Sequence, residues 1–209
     1  FGEKIYIWLK YAHEAFPQAT FIGKADDDVY VCGRLMFDFI RTHRTDKLYL
    51  GWKWWPDRTY ISNESRIDEM FVILGRELVQ RISGRRYCDN ELACDKNFEL
   101  YDTNFGGSSL ALWLSRYNDI DMVPINDKVI AHMSLGWFDS QFDLQRRDVC
   151  KSHFAYHKAT PEDMYTIFRW GGINVNSIQP LMGQPQAMNL LEAKTYAHHP
   201  VMFLVPQDF

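Results

Sequence analysis

Three consecutive carboxylates, Asp26, Asp27 and Asp28, sit between two short apolar runs in the stretch TFIGKADDDVYV, residues 20–31. Adjacent carboxylates repel unless a proton or a cation comes between them. A divalent ion is the natural partner of such a hard oxygen cluster. An enzyme that holds a metal–diphosphate would be built this way. Most acidic turns are merely solvated, but these acids are wedged between apolar segments rather than set in a polar loop. Phe21-Ile22 and Val29-Tyr30-Val31 read as strands, because β-branched and aromatic residues fit a pleated, half-buried surface. The acids therefore lie in the turn at a strand end. In an extended segment residues i and i+2 point the same way, so Asp26 and Asp28 can share a face while Asp27 faces away.

The elements that must position these acids alternate between strand and helix. The spacing predicts a helix over Glu3–Ala15, with Ile5, Trp8, Leu9 and Ala12 on one side and Pro17 as its stop. Further helices are expected at Gly33–His43, at Arg76–Ile82 ending at Gly84, and from Thr160-Pro161-Glu162 to about Trp170. Strands are expected at Ala19–Gly23, Val29–Val31, Leu48–Gly51, Met70–Leu74, Lys128–Ala131 and Phe154–His157, with Tyr60-Ile61 as a further short one. The aromatic loop WKWWPDR follows Gly51, and its Trp52, Trp54 and Trp55 either stack on a sugar ring or fill the core. Ser83–Asn97 reads as a polar loop. Beyond Gly171-Gly172 the chain is rich in Pro, Gly, Asn and Gln, which predicts an irregular tail. Strands interleaved with helices argue an α/β domain, whose ligands bind beyond strand ends. The acids follow a strand, as such a site requires.

The 209 residues suffice for one domain with a substantial core. A net charge of −4 without a basic stripe argues against nucleic acid. No apolar run reaches the ~18 residues of a membrane span. The chain opens at Phe1 directly in a helical pattern, and we read it as a piece of a longer protein. Of the four cysteines, Cys88 and Cys94 flank a polar loop at a spacing unlike a zinc site. They could form a local disulfide, as in a secretory compartment, and four free thiols fit the sequence equally well.

Several blocks stand in a telling order: F-P, strand, K-x-DDD-V-Y-V, L-Y-x-G, W-P-x-R, an apolar strand with G-R-E-L-V, an acid-plus-glycine segment, and H-K-x-T-P-E-x-M. From about Glu3 to Phe168 this order resembles the inverting β-1,3-galactosyl- and N-acetylglucosaminyltransferases, with fringe-like enzymes as relatives. The resemblance implies a GT-A-like mixed sheet flanked by helices, whose first, uracil-cradling strands precede Phe1. It implies a partial catalytic domain over residues 1–170 and the irregular tail over 171–209. By it Asp28 binds Mn2+ (or Mg2+) directly with Asp26, while Asp26, Asp27 and Lys24 serve the nucleotide. His157, which alone would read as a packed histidine at a strand end, becomes a further metal ligand. A carboxylate–imidazole set suits Mn2+ better than Ca2+.

The family's catalytic-base segment falls on 101–106. Tyr101 stands where the family has its first acid, so Asp102 remains as the base, with Glu99 two residues earlier. Arg66–Glu69 replaces a glycine ahead of the Met70–Leu74 strand. The implied activity is transfer of galactose or N-acetylglucosamine from a UDP-sugar to a glycan hydroxyl with inversion, forming a β-1,3 linkage. The implied protein is a type II, lumen-facing Golgi membrane protein acting on glycans or glycoconjugates. Two rivals of other classes stand beside it. One is a catalytically inactive sugar- or partner-binding module of the same fold, which Tyr101 favours. The other is a calcium-clipped structural domain.

Overall fold

The computed structural model describes residues 2–43, 45–54, 66–88, 100–101, 106–130, 149–161, 164, 165, 168 and 201–205. They form a mixed α/β structure. A five-stranded sheet runs in the order β10-β1-β4-β3-β7, with β1 at Phe21–Ala25, β3 at Leu48–Trp54, β4 at Arg66–Gly75, β7 at Asp121–Pro124 and β10 at Val201–Val205. Only β3 and β7 run parallel; β10, β1, β4 and β3 are antiparallel neighbours. A smaller sheet joins β2 (Val29–Val31), β9 (Ala155–His157) and β8 (Val129–Ile130) in the order β2-β9-β8. The two-residue strands β5 (Tyr87–Cys88) and β6 (Leu100–Tyr101) pair in parallel.

Alternation along the strands splits the apolar side chains between two cores. Ile22 faces Leu74, and Leu74 faces Tyr49, all on one side. Against that side pack helix α1 (Gly2–Ala15) with Ile5, Leu9 and Ala12, helix α3 (Arg76–Ser83) with Leu78, Val79 and Ile82, and helix α4 (Gly106–Leu114) with Leu110 and Trp113. Phe21, Ala25, Leu50, Phe71 and Ile73 point the other way, onto Met36 and Ile40 of helix α2 (Gly33–Thr42) and onto Val29, Val129 and Ala155 of the small sheet. Each fully buried Leu or Ile contributes roughly 1.5–3 kcal/mol, so both faces of the large sheet are held. The second core is what presses the small sheet, and the acids beside it, against the large one.

Several expectations are corrected. The strand predicted at Ala19–Gly23 runs on to Ala25, so the acids follow it at once. The aromatic loop is in part a strand: Trp52 and Trp54 lie in β3, and Trp52 packs on the second core. The apolar strand begins at Arg66, not Met70, because β4 bulges. As β3 steps from Gly51 to Lys53, the partner moves from Val72 to Ile67, so the four residues 68–71 stand opposite Trp52 alone, three more than a regular ladder holds. Gly51 sits inside this crowding; a Cβ there would collide with the Ile67 side chain and the Phe71 carbonyl. Gly84 closes α3 at φ −76° and ψ 0°, in right-handed conformation rather than the left-handed one a terminal glycine often adopts.

The polar loop expected over Ser83–Asn97 contains β5. The tail expected to be irregular over 171–209 contains β10, which pairs with β1 from Phe21↔Val205 to Ala25↔Val201. The run VMFLV is short, apolar and bounded by prolines, a strand pattern that the Gly- and Pro-rich surroundings mask. Pro161, Met164, Tyr165 and Phe168 are helical, on the predicted C-terminal helix. The Tyr60-Ile61 strand and Trp55 lie outside the described residues.

Cys32 and Cys150 are joined by a disulfide across 118 residues. Cys32 follows β2, and Cys150 lies in the short helix α5 (Val149–Ser152) ahead of β9. The bond therefore clips together the two strands of the small sheet that carry the acids and His157. Cys94, which could pair with Cys88, lies outside the described residues. A cross-link closing so long a loop restricts the unfolded chain by the equivalent of about 4–5 kcal/mol in the loop-entropy view. The double variant C32S/C150S should accordingly lose roughly 2–5 kcal/mol. Its urea midpoint, compared with that of the oxidised wild type, checks this; an unchanged midpoint would show that the bond is dispensable to the fold.

Candidate metal and nucleotide site

The acids lie in the turn at the end of β1, as expected, and the turn is a tight one. The Asp26 carbonyl accepts the Val29 N–H at 3.1 Å, so Asp27 and Asp28 are the central residues of the turn. The turn is anchored from both sides. The Asp26 N–H donates to the Met70 carbonyl at 2.9 Å, continuing the β1–β4 ladder, and the Asp28 carbonyl accepts the Ala159 N–H at 2.8 Å. Asp26 and Asp28 do come together, but turning rather than strand alternation brings them there.

His157 reaches the same place through the small sheet. Val29 pairs directly with His157 in the antiparallel β2–β9 register, which sets the imidazole beside the turn. Asp26, Asp28 and His157 each offer a ligand atom, and these atoms all lie within 4.8 Å of one another. His157 Nε2 stands 3.5 Å from Asp28 Oδ1. All three residues are partly exposed, so an ion could enter from solvent. Two carboxylates and an imidazole form a donor set that could hold a divalent ion accepting both oxygen and nitrogen.

Two ammonium groups moderate the negative charge. Lys24, largely buried, donates both to Asp26 Oδ1 and to the Glu69 carbonyl. A buried lysine is tolerated when paired and hydrogen-bonded in this way. Lys158 Nζ lies 2.8 Å from Asp28 Oδ2, and that hydrogen bond raises the lysine pKa above its ordinary value. Lys158 follows β9 directly and carries a left-handed φ of 64°. Such a backbone is uncommon for a side chain of this kind.

The bulge in β4 brings two further acids alongside. Glu69 Oε2 accepts the Gly107 N–H at 2.8 Å, placing a carboxylate at the positive N-terminal end of α4. Gly107 has no Cβ, and one would collide with that same oxygen. Asp68 accepts the Met70 N–H at 2.8 Å on Oδ1 and the Trp54 indole N–H on Oδ2. Burial, and then the neighbouring Glu69 charge, push its carboxyl up to about 6.

Of the residues singled out in the sequence, Asp26, Asp28, His157 and Lys24 converge, and Asp27 lies in the same turn. Asp102 lies outside the described residues, as does Glu99. Tyr101 ends β6 beside Cys88. Sequence reasoning missed Lys158, Asp68, Glu69 and the Trp54–Asp68 bond. Its one signal for the two acids was that Arg66–Glu69 departs from a glycine pattern. Lys158 gave no signal beyond lying next to His157. Compared with known proteins, the chain matches no family model, and no curated protein matches it.

Asp68 yields a pH prediction. Its folded pKa lies above that of an ordinary carboxyl, so the folded state holds this proton more tightly than the unfolded state does. The group therefore favours folding below the unfolded value and loses that contribution as pH rises through about 6. Asp68→Asn cannot ionise, though it forfeits the acceptor for Trp54. The stability of the variant relative to wild type should improve by ~2–3 kcal/mol between pH 4 and pH 7.5. Denaturant melts at the two pH values read the difference; a constant difference would mean that Asp68 titrates as a solvated acid.

Proposed function

We propose that the protein is a metal-dependent inverting glycosyltransferase of GT-A fold, moving galactose or N-acetylglucosamine from a UDP-sugar to a hydroxyl of a glycan or glycoconjugate. The observation that carries this reading is the meeting of Asp26, Asp28 and His157 at one point beyond a strand end. Those three residues would hold Mn2+ or Mg2+. Bound there, the ion would neutralise charge growing on the leaving diphosphate.

The chain's own residues supply the rest. Lys24 holds Asp26 in place and reduces carboxylate repulsion within the turn. The backbone bonds from Asp26 to Met70 and from Asp28 to Ala159 fix the turn before any ligand arrives, which spares the entropy of ordering it on binding. The motif resemblance puts the base at Asp102, where its carboxylate would take the proton of the acceptor hydroxyl. That hydroxyl would attack the anomeric carbon from the face opposite UDP, so an α-linked donor would give a β-linked product. A lumenal Golgi location belongs to the same proposal, and the Cys32–Cys150 disulfide is consistent with an oxidising compartment.

The second reading, an inactive sugar- or partner-binding module, draws on Tyr101 in the place of the family's first acid. Turnover of UDP-galactose or UDP-N-acetylglucosamine separates the two, because a module binds the donor and leaves it intact.

Asp28→Ala should abolish Mn2+-dependent UDP binding in calorimetry while the variant melts near the wild-type temperature. Equal UDP binding with and without Mn2+ in the wild type would remove the metal from the mechanism. Asp102→Asn should lower turnover at least 100-fold with donor affinity nearly intact, the loss typical of removing a general base. Donor affinity lost in step with turnover would make Asp102 a structural residue instead.

A further inference from the structure

We infer that Lys158 is a diphosphate-binding residue, held in readiness on Asp28 and handed to the phosphate oxygens when a metal–nucleotide enters. The inference rests on the metal reading proposed above and adds a residue to it.

Three observations carry it. The first is position: Lys158 Nζ lies 2.8 Å from Asp28 Oδ2, while the other oxygen of that carboxylate, Oδ1, faces His157 Nε2 at 3.5 Å. Asp28 thus presents one oxygen to the candidate metal side and the other to an ammonium group. The second is backbone. Lys158 adopts φ 64°, a conformation that glycine takes without cost and a lysine does not. The Ala159 N–H bonded to the Asp28 carbonyl holds the chain there, and the side chain at that position aims at the acid. Glycine would take this backbone without cost, and the residue that stands there instead sets an ammonium group on the acid. The third is exposure: the Lys158 side chain is 58% exposed, and so open an ion pair contributes little to stability and is easily exchanged.

Charge then decides which partner the lysine takes. Three carboxylates in the turn and the two ammonium groups of Lys24 and Lys158 leave one net negative charge. A divalent ion on Asp26, Asp28 and His157 reverses that to one net positive charge. It also sets two cations on the single carboxylate of Asp28, which is unfavourable. The ammonium group, on a flexible four-carbon stem, relieves the crowding by moving to an anion. A diphosphate arriving with the metal supplies the anion within reach. One residue therefore opposes the bare metal and favours the metal–nucleotide, so the site discriminates between them.

Calorimetry on the full-length protein tests this, first with Mn2+ alone and then with UDP at saturating Mn2+. K158M should bind Mn2+ alone several-fold more tightly, because a competing cation is gone. It should bind UDP roughly 10- to 100-fold more weakly, the loss expected for a charge-assisted hydrogen bond. K158R should restore most of the UDP affinity. K158G relieves the left-handed residue, folds at least as well, and should follow K158M in both measurements. Opposed shifts are the signature, since damage to the site would weaken both ligands. If K158M moves the two affinities in the same direction, or moves neither, while D28A still abolishes Mn2+ uptake, the role of Lys158 is refuted and the metal reading stands. If the wild type takes up no Mn2+ that depends on Asp28, both fall together.

Discussion

The site depends on one strand pairing. β2 and β9 lie far apart in the sequence, and their register sets Val29 against His157. Without it the aspartate turn and the imidazole have no reason to meet. Three short residues of ladder are too little to hold two distant segments by themselves, because loop closure over so long a span is costly. Two reinforcements supply the difference. Val29 and Ala155 are buried in the second core with Phe71 and Met36, so the pairing shares the apolar driving force of the main sheet. Cys32 and Cys150 then lock the flanks covalently. Placing ligands on secondary elements fixed in this way, rather than on free loops, keeps a site geometrically exact enough for an ion.

The bulge in β4 is the second constraint. By setting residues 68–71 opposite Trp52 alone, it turns Asp68 and Glu69 out of the regular ladder and toward the acid turn and α4. A single backbone irregularity therefore links three features. Glu69 lends its carbonyl to Lys24 and its carboxylate to the N-terminus of α4, while Asp68 holds the Trp54 indole. Gly51 and Gly107 permit the close approaches that this crowding needs. Lys24 is what ties the bulge to the acid turn, and its burial shows that the link is part of the packed structure.

Local pattern made part of this legible. The apolar periods of α1, α2 and α3 and the short runs around the acids announce themselves within a few residues, and the structure follows them closely. The acid trio stands out because three carboxylates between apolar runs are unusual, whereas His157 is singled out only by the motif resemblance. What escaped depends on distant partners. β10 is an apolar run in a breaker-rich stretch, and only its pairing with β1 makes it a strand. The extension of β3 through Trp54 depends on Arg66 and Ile67 lying across from it. The Cys32–Cys150 bond is invisible to spacing arguments because its loop is so long. The turn at the end of β1 is legible from the apolar runs on either side of the acids, but the meeting of Asp26 and Asp28 comes from its closure by the Asp26 carbonyl and the Val29 amide and not from strand alternation.

The balance of charge in the turn also bears on the choice among readings. A structural calcium clip gathers six to eight oxygens and gains affinity with each added carboxylate. Here the described cluster offers two carboxylates and an imidazole, and each of those carboxylates is already shared with a lysine. Ammonium groups in such a place weaken the hold on a bare hard cation, and an imidazole nitrogen adds little for calcium. Both features make sense if the ion comes with its own anionic ligand. The cation then needs only a few protein donors, the anion supplies others, and the lysines become attractive contacts rather than competitors. The chemistry of the donor set thus favours a metal carried with a phosphate group over a metal that merely staples the fold.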